Sequence, residues 1–245
     1  MSFLNRHPFP VRAFFEKSLV LGFAVPKANL ADRIPECLEL DLFKDELAFV
    51  AVAMVQTKGL RPAVFPSFLG RDFILIGYRI FVRYRTAKGR RLRGLYILGS
   101  ETDKPSMRRL GGIFTQYRYE VRAIDWAETD GEEQVTSSRD FCVRASKTTD
   151  ENPLPDGSPF STWKEARRFA GPMPFTFSYD EKNREVISVE GVRQSWKPAP
   201  VTVHEWKIPF VEDLQLPDLK LANAFIVERV PYSWKRGQIE PWNPE

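Results

Sequence analysis

The residues with most to say about chemistry are three arginines. Arg108 and Arg109 stand side by side in the stretch Gly99–Gly112, GSETDKPSMRRLGG, and Arg79 stands inside the alternating segment Phe73–Arg85. A guanidinium offers a planar fork that grips a carboxylate or phosphate through two parallel hydrogen bonds. It stays protonated in any protein setting, so it binds anions but cannot serve as a neutral amine nucleophile. In an extended segment adjacent side chains point to opposite faces, so only one of Arg108 and Arg109 is expected to face an interior. Arg79 shares a strand face with Phe73, Leu75 and Phe81, where a charge is costly unless it is paired. A buried partner such as Glu101 or Glu120 would make Arg79 structural, a missing partner would make it a ligand contact, and simple exposure is the third reading.

Other reactive groups are sparse. Glu101 and His204 are the candidates for a general acid or base. His204 and Glu205 are neighbours in a strand and face opposite sides, so they do not form a pair. His7 and His204 lie far apart and give no metal motif. Cys37 and Cys142 are too few and too scattered for a zinc site or a disulfide framework. Nothing in the chain calls for a metal or a cofactor. The aromatic residues Phe65, Phe68, Tyr96, Tyr117, Tyr119 and Trp196 are core by default, with some available to line an apolar pocket.

These groups must be carried by strands. Lys27–Ile34 reads as one or two helical turns that Pro35 stops. Leu38–Phe43 and Leu47–Gln56 read as a hairpin turning at Lys44-Asp45. The second of these strands is apolar on both faces, as expected of a barrel wall with an outer layer of helix or loop packed on it. Phe73–Arg85 alternates, Lys88-Gly89 marks a turn, and Leu92–Leu98 returns. A helical turn is expected near Thr102–Leu110. Gln116–Trp126 and Gln134–Ala145 read as another hairpin around Thr129-Asp130-Gly131, and Thr162–Phe169 as a short helix. Further strands fall near Phe175–Tyr179, Glu185–Val192, Val201–Lys207 and Phe225–Val230. Repeated antiparallel hairpins with a few short helices predict an α+β, predominantly antiparallel β-barrel, built as one domain with its core over about residues 19–230.

The stretch around Arg108 resembles the active-site segment of acetoacetate decarboxylases. There a Gly-x-Glu run leads into Pro-Lys-Lys-Leu-Gly, whose first lysine forms a Schiff base with the keto acid. Gly99-Ser100-Glu101 and Met107-Arg108-Arg109-Leu110-Gly111 are the matching residues, with both lysines replaced by arginine. Leu21–Leu60 and Pro200–Trp206 (PVTVHEW) are similar to further segments of the same proteins. GYRIFVR (Gly77–Arg83), GLYILGS (Gly94–Ser100) and RQSWKPAP (Arg193–Pro200) resemble the uncharacterised YqjF-like branch of that superfamily, a domain of unknown function. The resemblance implies the decarboxylase barrel. It also implies a changed site, because two family glutamates fall on Val50 and Phe65 and a family substrate-binding arginine falls near Glu16. Lys104, the one nearby lysine, precedes Pro105 in a polar turn and reads as solvated.

A formal net charge of +4 spread along the sequence fits solubility better than nucleic-acid binding. The longest apolar run, Leu47–Val55, is too short to span a bilayer, and no signal peptide is read at the start. Two unpaired cysteines suit a cytoplasmic setting. Neither a nucleic-acid nor a membrane partner is expected, and a homo-oligomer is compatible with the chain. Two function classes follow. One is a small-molecule-binding barrel, its ligand apolar or an anion anchored by Arg79, Arg108 or Arg109. The other is an enzyme on the same scaffold that uses Glu101, His204 or a tyrosine for acid–base chemistry without a Schiff base.

Overall fold

The computed structural model describes residues 6–243, apart from 116 and 195 and from the side chains of residues 110, 112 and 113. Among the described residues the strands are β1 (Val11–Pro26), β2 (Glu39–Leu40), β3 (Leu47–Pro62), β4 (Arg71–Arg85), β5 (Arg91–Thr102), β6 (Tyr119–Val121) and β7 (Ile124–Thr129). They continue as β8 (Glu132–Ser137), β9 (Phe141–Lys147), β10 (Phe175–Asp180), β11 (Glu185–Arg193), β12 (Ala199–Lys207), β13 (Lys220–Trp234) and β14 (Gln238–Pro241). The α-helices are α1 (Pro105–Phe114), α2 (Trp163–Ala170) and α3 (Pro209–Asp213).

Strands β11, β10, β5, β4, β3, β1 and β13 lie side by side in that order, and β13 pairs back onto β11. They therefore close into a ring. Every pairing within it is antiparallel except that of β10 with β5. The fold is α+β and mostly antiparallel, with few short helices. A second sheet, β12–β9–β8–β7, leaves the ring at β13 and folds back over its outside.

The double-sided apolar character of β3 is explained by this layering. Phe49, Ala51 and Phe81 belong to an inner cluster, while Val52, Met54, Leu19, Leu21 and Tyr78 pack outward against Val135, Phe141 and Val143 of the second sheet. Helix α2 plugs one end of the ring. Its start is fixed by the N-cap Thr162, whose side chain accepts from Glu165 N, while Glu165 Oε2 accepts from Ser161 N just before it. Ala166 and Ala170 then meet Phe49, Phe81 and Phe160.

Two hairpins differ from the sequence reading. Leu38–Phe43 does not pair along Leu47–Gln56; only a Phe43–Leu47 bridge forms, and β2 pairs with β4 instead. The reason is Asp41, fully buried and bonded by both Arg83 and Arg93, which draws this stretch onto β4 and β5. The expected strand Gln134–Ala145 is two strands, β8 and β9, broken at Asp140 in the left-handed region. Its hairpin partner β7 begins only at Ile124, and residue 116, where that strand was expected to start, lies outside the described residues. Asp130 and Gly131 both have positive φ, the two-residue turn that right-twisted hairpin strands favour. Among the described residues no helix is long and apolar enough to cross a membrane.

Candidate functional site

The ring is not filled. A cavity of about 670 Å³ runs along the inner face of β3, within the range of small-molecule sites. Its floor lies near Ala51, Phe81 and Met173, and its mouth near His7, Arg61 and the loop carrying Val64 and Phe65. Space exists because the inward positions of β3 include Ala51 and Ala53, opposite Arg79 and Gly77 of β4. Most of the lining is apolar: Phe15, Val55, Phe73, Leu75, Met107 and Phe225 among others.

Arg79 projects into this space. The side chain is half-buried, open to the cavity and enclosed by protein on its other sides. Its guanidinium lies back over Gly77, where an added Cβ would stand 3.0 Å from both Nε and Nη2. Burial pulls its pKa down, and the ionisable groups acting on it are the phenols of Tyr232, Tyr117 and Tyr119. No carboxylate is among them, and the described lining contains no Asp, Glu or Lys. Four residues further along the same strand face, Arg83 is spent on Asp41. The difference is plain.

The tyrosines surround that charge with neutral donors. Burial raises the Tyr117 and Tyr232 phenols above the ordinary value and pushes Tyr119 up to about 12. Tyr117 hydrogen-bonds with Thr176, Tyr119 with Thr115 and Tyr232 with Arg193. Arg193 is also committed elsewhere: it donates to the carbonyls of Pro172 and Met173 and lies over the Trp196 ring. An arginine with free donors inside an apolar chamber, faced by protonated phenols, can hold an anionic head group.

The other candidates fall elsewhere. Arg108 and Arg109 are exposed on α1, whose cavity face is Met107, Gly111 and Phe114. The segment is a helix with steps of about 100° per residue, so the two arginines share an outer face instead of splitting between faces. Lys104 is exposed and pairs with Asp103 at 2.9 Å. Glu101 is buried on the opposite side of the β5 wall from the cavity, beside Tyr78 and within 3.3 Å of Ser137 Oγ, and burial raises its pKa. Neither Glu101 nor Glu120 reaches Arg79.

His204 is exposed on the second sheet. Its Nε2 lies 2.7 Å from Ser146 Oγ and 3.9 Å from Glu132 Oε2. Both partners meet the same nitrogen, whereas a relay needs the acid on the other one. The structure thus does not bring Glu101, His204 and Arg79 together. Among the described residues no three His, Cys, Asp or Glu side chains are grouped to hold a metal ion.

Sequence reasoning missed His7 and Tyr232. The His7 backbone bonds Phe114 and Gly237, its side chain lines the cavity, and burial lowers its pKa. No pattern in the sequence places residue 7 against residues 114 and 237. Phe65 and Phe68, expected in the core, stand exposed in the loop at the mouth. Val50 points away from the cavity.

Comparison with solved structures places the fold. An acetoacetate decarboxylase-like enzyme from Sphingomonas wittichii RW1 superposes with a TM-score of 0.57 at 13% identity, covering 95% of this chain and 92% of that one. Acetoacetate decarboxylase from Legionella pneumophila gives 0.59 at 12% identity, with 98% and 91% covered. The enduracididine biosynthesis enzyme MppR, complexed with the condensation product of pyruvate and imidazole 4-carboxaldehyde, gives 0.60 at 11%, with 95% and 89% covered. At such identities the likeness is one of fold. No curated protein matches the sequence. The fold is acetoacetate decarboxylase-like, and a family model matches over residues 12–233: the chain belongs to DUF2071, described as an uncharacterized conserved protein.

Proposed function

We propose that this protein binds a small amphipathic anion, its carboxylate held by Arg79 at depth and its apolar body lying along β3 toward the mouth. The observation that carries this reading is the Arg79 guanidinium, wrapped by protein, open to the cavity and without a carboxylate partner among the described residues. A buried unpaired charge is costly, so a site that keeps one gains from an anionic ligand. The lack of lysine in the described lining, and the exposed position of Lys104, support a site that works without a Schiff base. Neighbours of the same fold include MppR complexed with pyruvate, an anion of this general kind. Both cysteines are free thiols, which supports the cytoplasmic setting expected from the sequence.

The test is a thermal-shift screen of 2-oxo acids, hydroxy acids and medium-chain fatty acids, followed by calorimetric titration of any hit. Ligands with a carboxylate should raise the melting temperature, and their amides should not. Arg79→Met should abolish the shift. Arg79→Lys should weaken binding by about tenfold, because the charge survives but the fork does not. Equal affinity in all three proteins would remove Arg79 from the site.

The enzymatic reading rests on one observation, the placing of Tyr117 and Tyr119 in the cavity beside Arg79. Protonated phenols there suit proton donation to a bound substrate oxygen. Loss of deuterium exchange at C3 of a bound 2-oxo acid, the carbon alpha to its ketone, in Tyr119→Phe, with binding retained, would favour it.

A further inference from the structure

Among the described residues seven large apolar side chains are exposed, and four of them, Val64, Phe65, Phe68 and Leu69, sit in the single loop between β3 and β4. Val64 is 84% exposed and Phe68 81%. The loop is held open by its own construction. Phe65 N bonds Pro62 O, Leu69 N bonds Pro66 O, and Arg61 Nε donates to Phe65 O at 3.2 Å. Its base is clamped where Gly59 and Gly70 cross so closely that a Cβ on Gly70 would lie 2.6 Å from Gly59 Cα. A preformed loop that presents apolar side chains to water has a surface to meet.

The charge around it says what kind. Arg12, which pairs with Arg61 across the strands, and Arg71 are exposed. From Lys58 to Asp72 the one acid is Asp72, already paired with Lys58 at 3.2 Å. We propose that this loop docks the cavity mouth onto an anionic lipid leaflet, with Val64 and Phe68 entering the boundary between head groups and acyl chains and Arg12 and Arg71 facing the head groups. Apolar tips with basic flanks are what interfacial binding uses. A second copy of the chain fits less well, because a two-fold contact would set the same positive rim against itself. Docking of this kind needs no spanning helix, which is all that the sequence pattern tests for. Val64, Phe65 and Leu69 also line the cavity, so a docked leaflet would be continuous with the apolar path toward Arg79. That delivery route rests on the proposed ligand site; the docking itself does not.

The experiment is co-sedimentation of the full chain with phosphatidylglycerol–phosphatidylcholine vesicles and with pure phosphatidylcholine vesicles, alongside sedimentation velocity without lipid. The protein should pellet with the anionic vesicles and not with the neutral ones. Val64→Ser with Phe68→Ser keeps the net charge and should lower the bound fraction about tenfold. Arg12→Gln with Arg71→Gln should lower it and leave the remainder insensitive to salt. Arg79→Met should pellet like the unaltered protein, so a failed ligand site and a failed docking surface are told apart. The proposal is overturned if no vesicle binds, or if the serine variant pellets unchanged, which would mean bulk charge alone. It is equally overturned if the protein is an oligomer that the serine variant dissolves, since a second copy would then cover the loop.

Discussion

Arg79 and Arg83 stand two pleat repeats apart on one face of β4 and end in opposite conditions. Alternation along Phe73–Arg85 placed both on one face, and that much was legible from side-chain period alone. What could not be read was that Asp41, distant in sequence, would take Arg83 and leave Arg79 bare. The small residue between Leu75 and Arg79 is the means of keeping it there. Gly77→Ala should cost under about 1 kcal/mol of stability, since a strand-interior glycine is itself unfavourable by a similar amount. Yet the new methyl, 3.0 Å from Nε and Nη2, must push the guanidinium, so anion affinity should fall about tenfold in titration. Unchanged affinity would show that the head group lies elsewhere. The neighbouring question of imine chemistry has an equally direct check. Borohydride added with acetoacetate should leave the protein mass unchanged, because the described lining holds no lysine; an adduct on Lys104 would reverse that reading. Arg108 and Arg109 show the limit of pattern reading at this scale. Their types were informative, but their directions depended on whether the segment was strand or helix.

At the scale of elements, β3 sets the chamber. Its apolar run announced a strand covered on both faces, which the structure shows, but the outer cover is a second sheet and not the helix or loop expected, with the cavity within. The sequence could not show that the inner cover is partly empty space, because alanines read as core in either case. Ala53 is 2% exposed, pairs with Gly77 and lines the cavity. Adding bulk to a packed core costs about 1–3 kcal/mol, but adding it into a void removes that penalty. Ala53→Leu should therefore leave the melting temperature level or higher while cancelling the ligand-induced shift. A large drop in stability would mean that the wall is already packed at that point. The first misread hairpin has an identifiable cause. Lys44-Asp45 is a sound turn signal, and both residues do adopt positive φ, but the stretch before it is captured by Asp41 with Arg83 and Arg93. Turn chemistry fixes where a chain reverses, while long-range pairing decides what it then lies beside.

At the scale of the molecule, the second sheet is tied to the ring in three ways. Ala199 and Pro200 of β12 pair with β13, a shared apolar cluster spans the two layers, and Lys17 of β1 reaches across to Glu128 and Glu133. Glu133 is 4% exposed and also accepts from Trp126 Nε1 at 2.7 Å, so removing the lysine would strand a buried carboxylate. We expect one cooperative unfolding transition near neutral pH, with far-UV dichroism and tryptophan fluorescence coinciding, because neither layer can bury its facing side chains alone. Lys17→Met should lower stability by about 2–3 kcal/mol, less than the ~3–5 kcal/mol of breaking a fully buried pair, since Glu128 is half exposed. The pH dependence follows from the direction of the lysine's shift. Burial alone would pull Lys17 down, but its hydrogen bonds to Glu128 and Glu133 outweigh that and raise it above the ordinary 10.5. A raised folded value means that the clamp contributes fully below pH 10.5 and is lost as the pH climbs through the folded value. Chemical denaturation of the unaltered protein and of Lys17→Met should thus differ by a constant amount well below pH 10.5 and converge as the pH rises above the lysine's raised folded value. Two separate transitions at neutral pH, or a difference that grows with alkalinity, would show that the second sheet folds as its own unit and that Lys17 does not hold it.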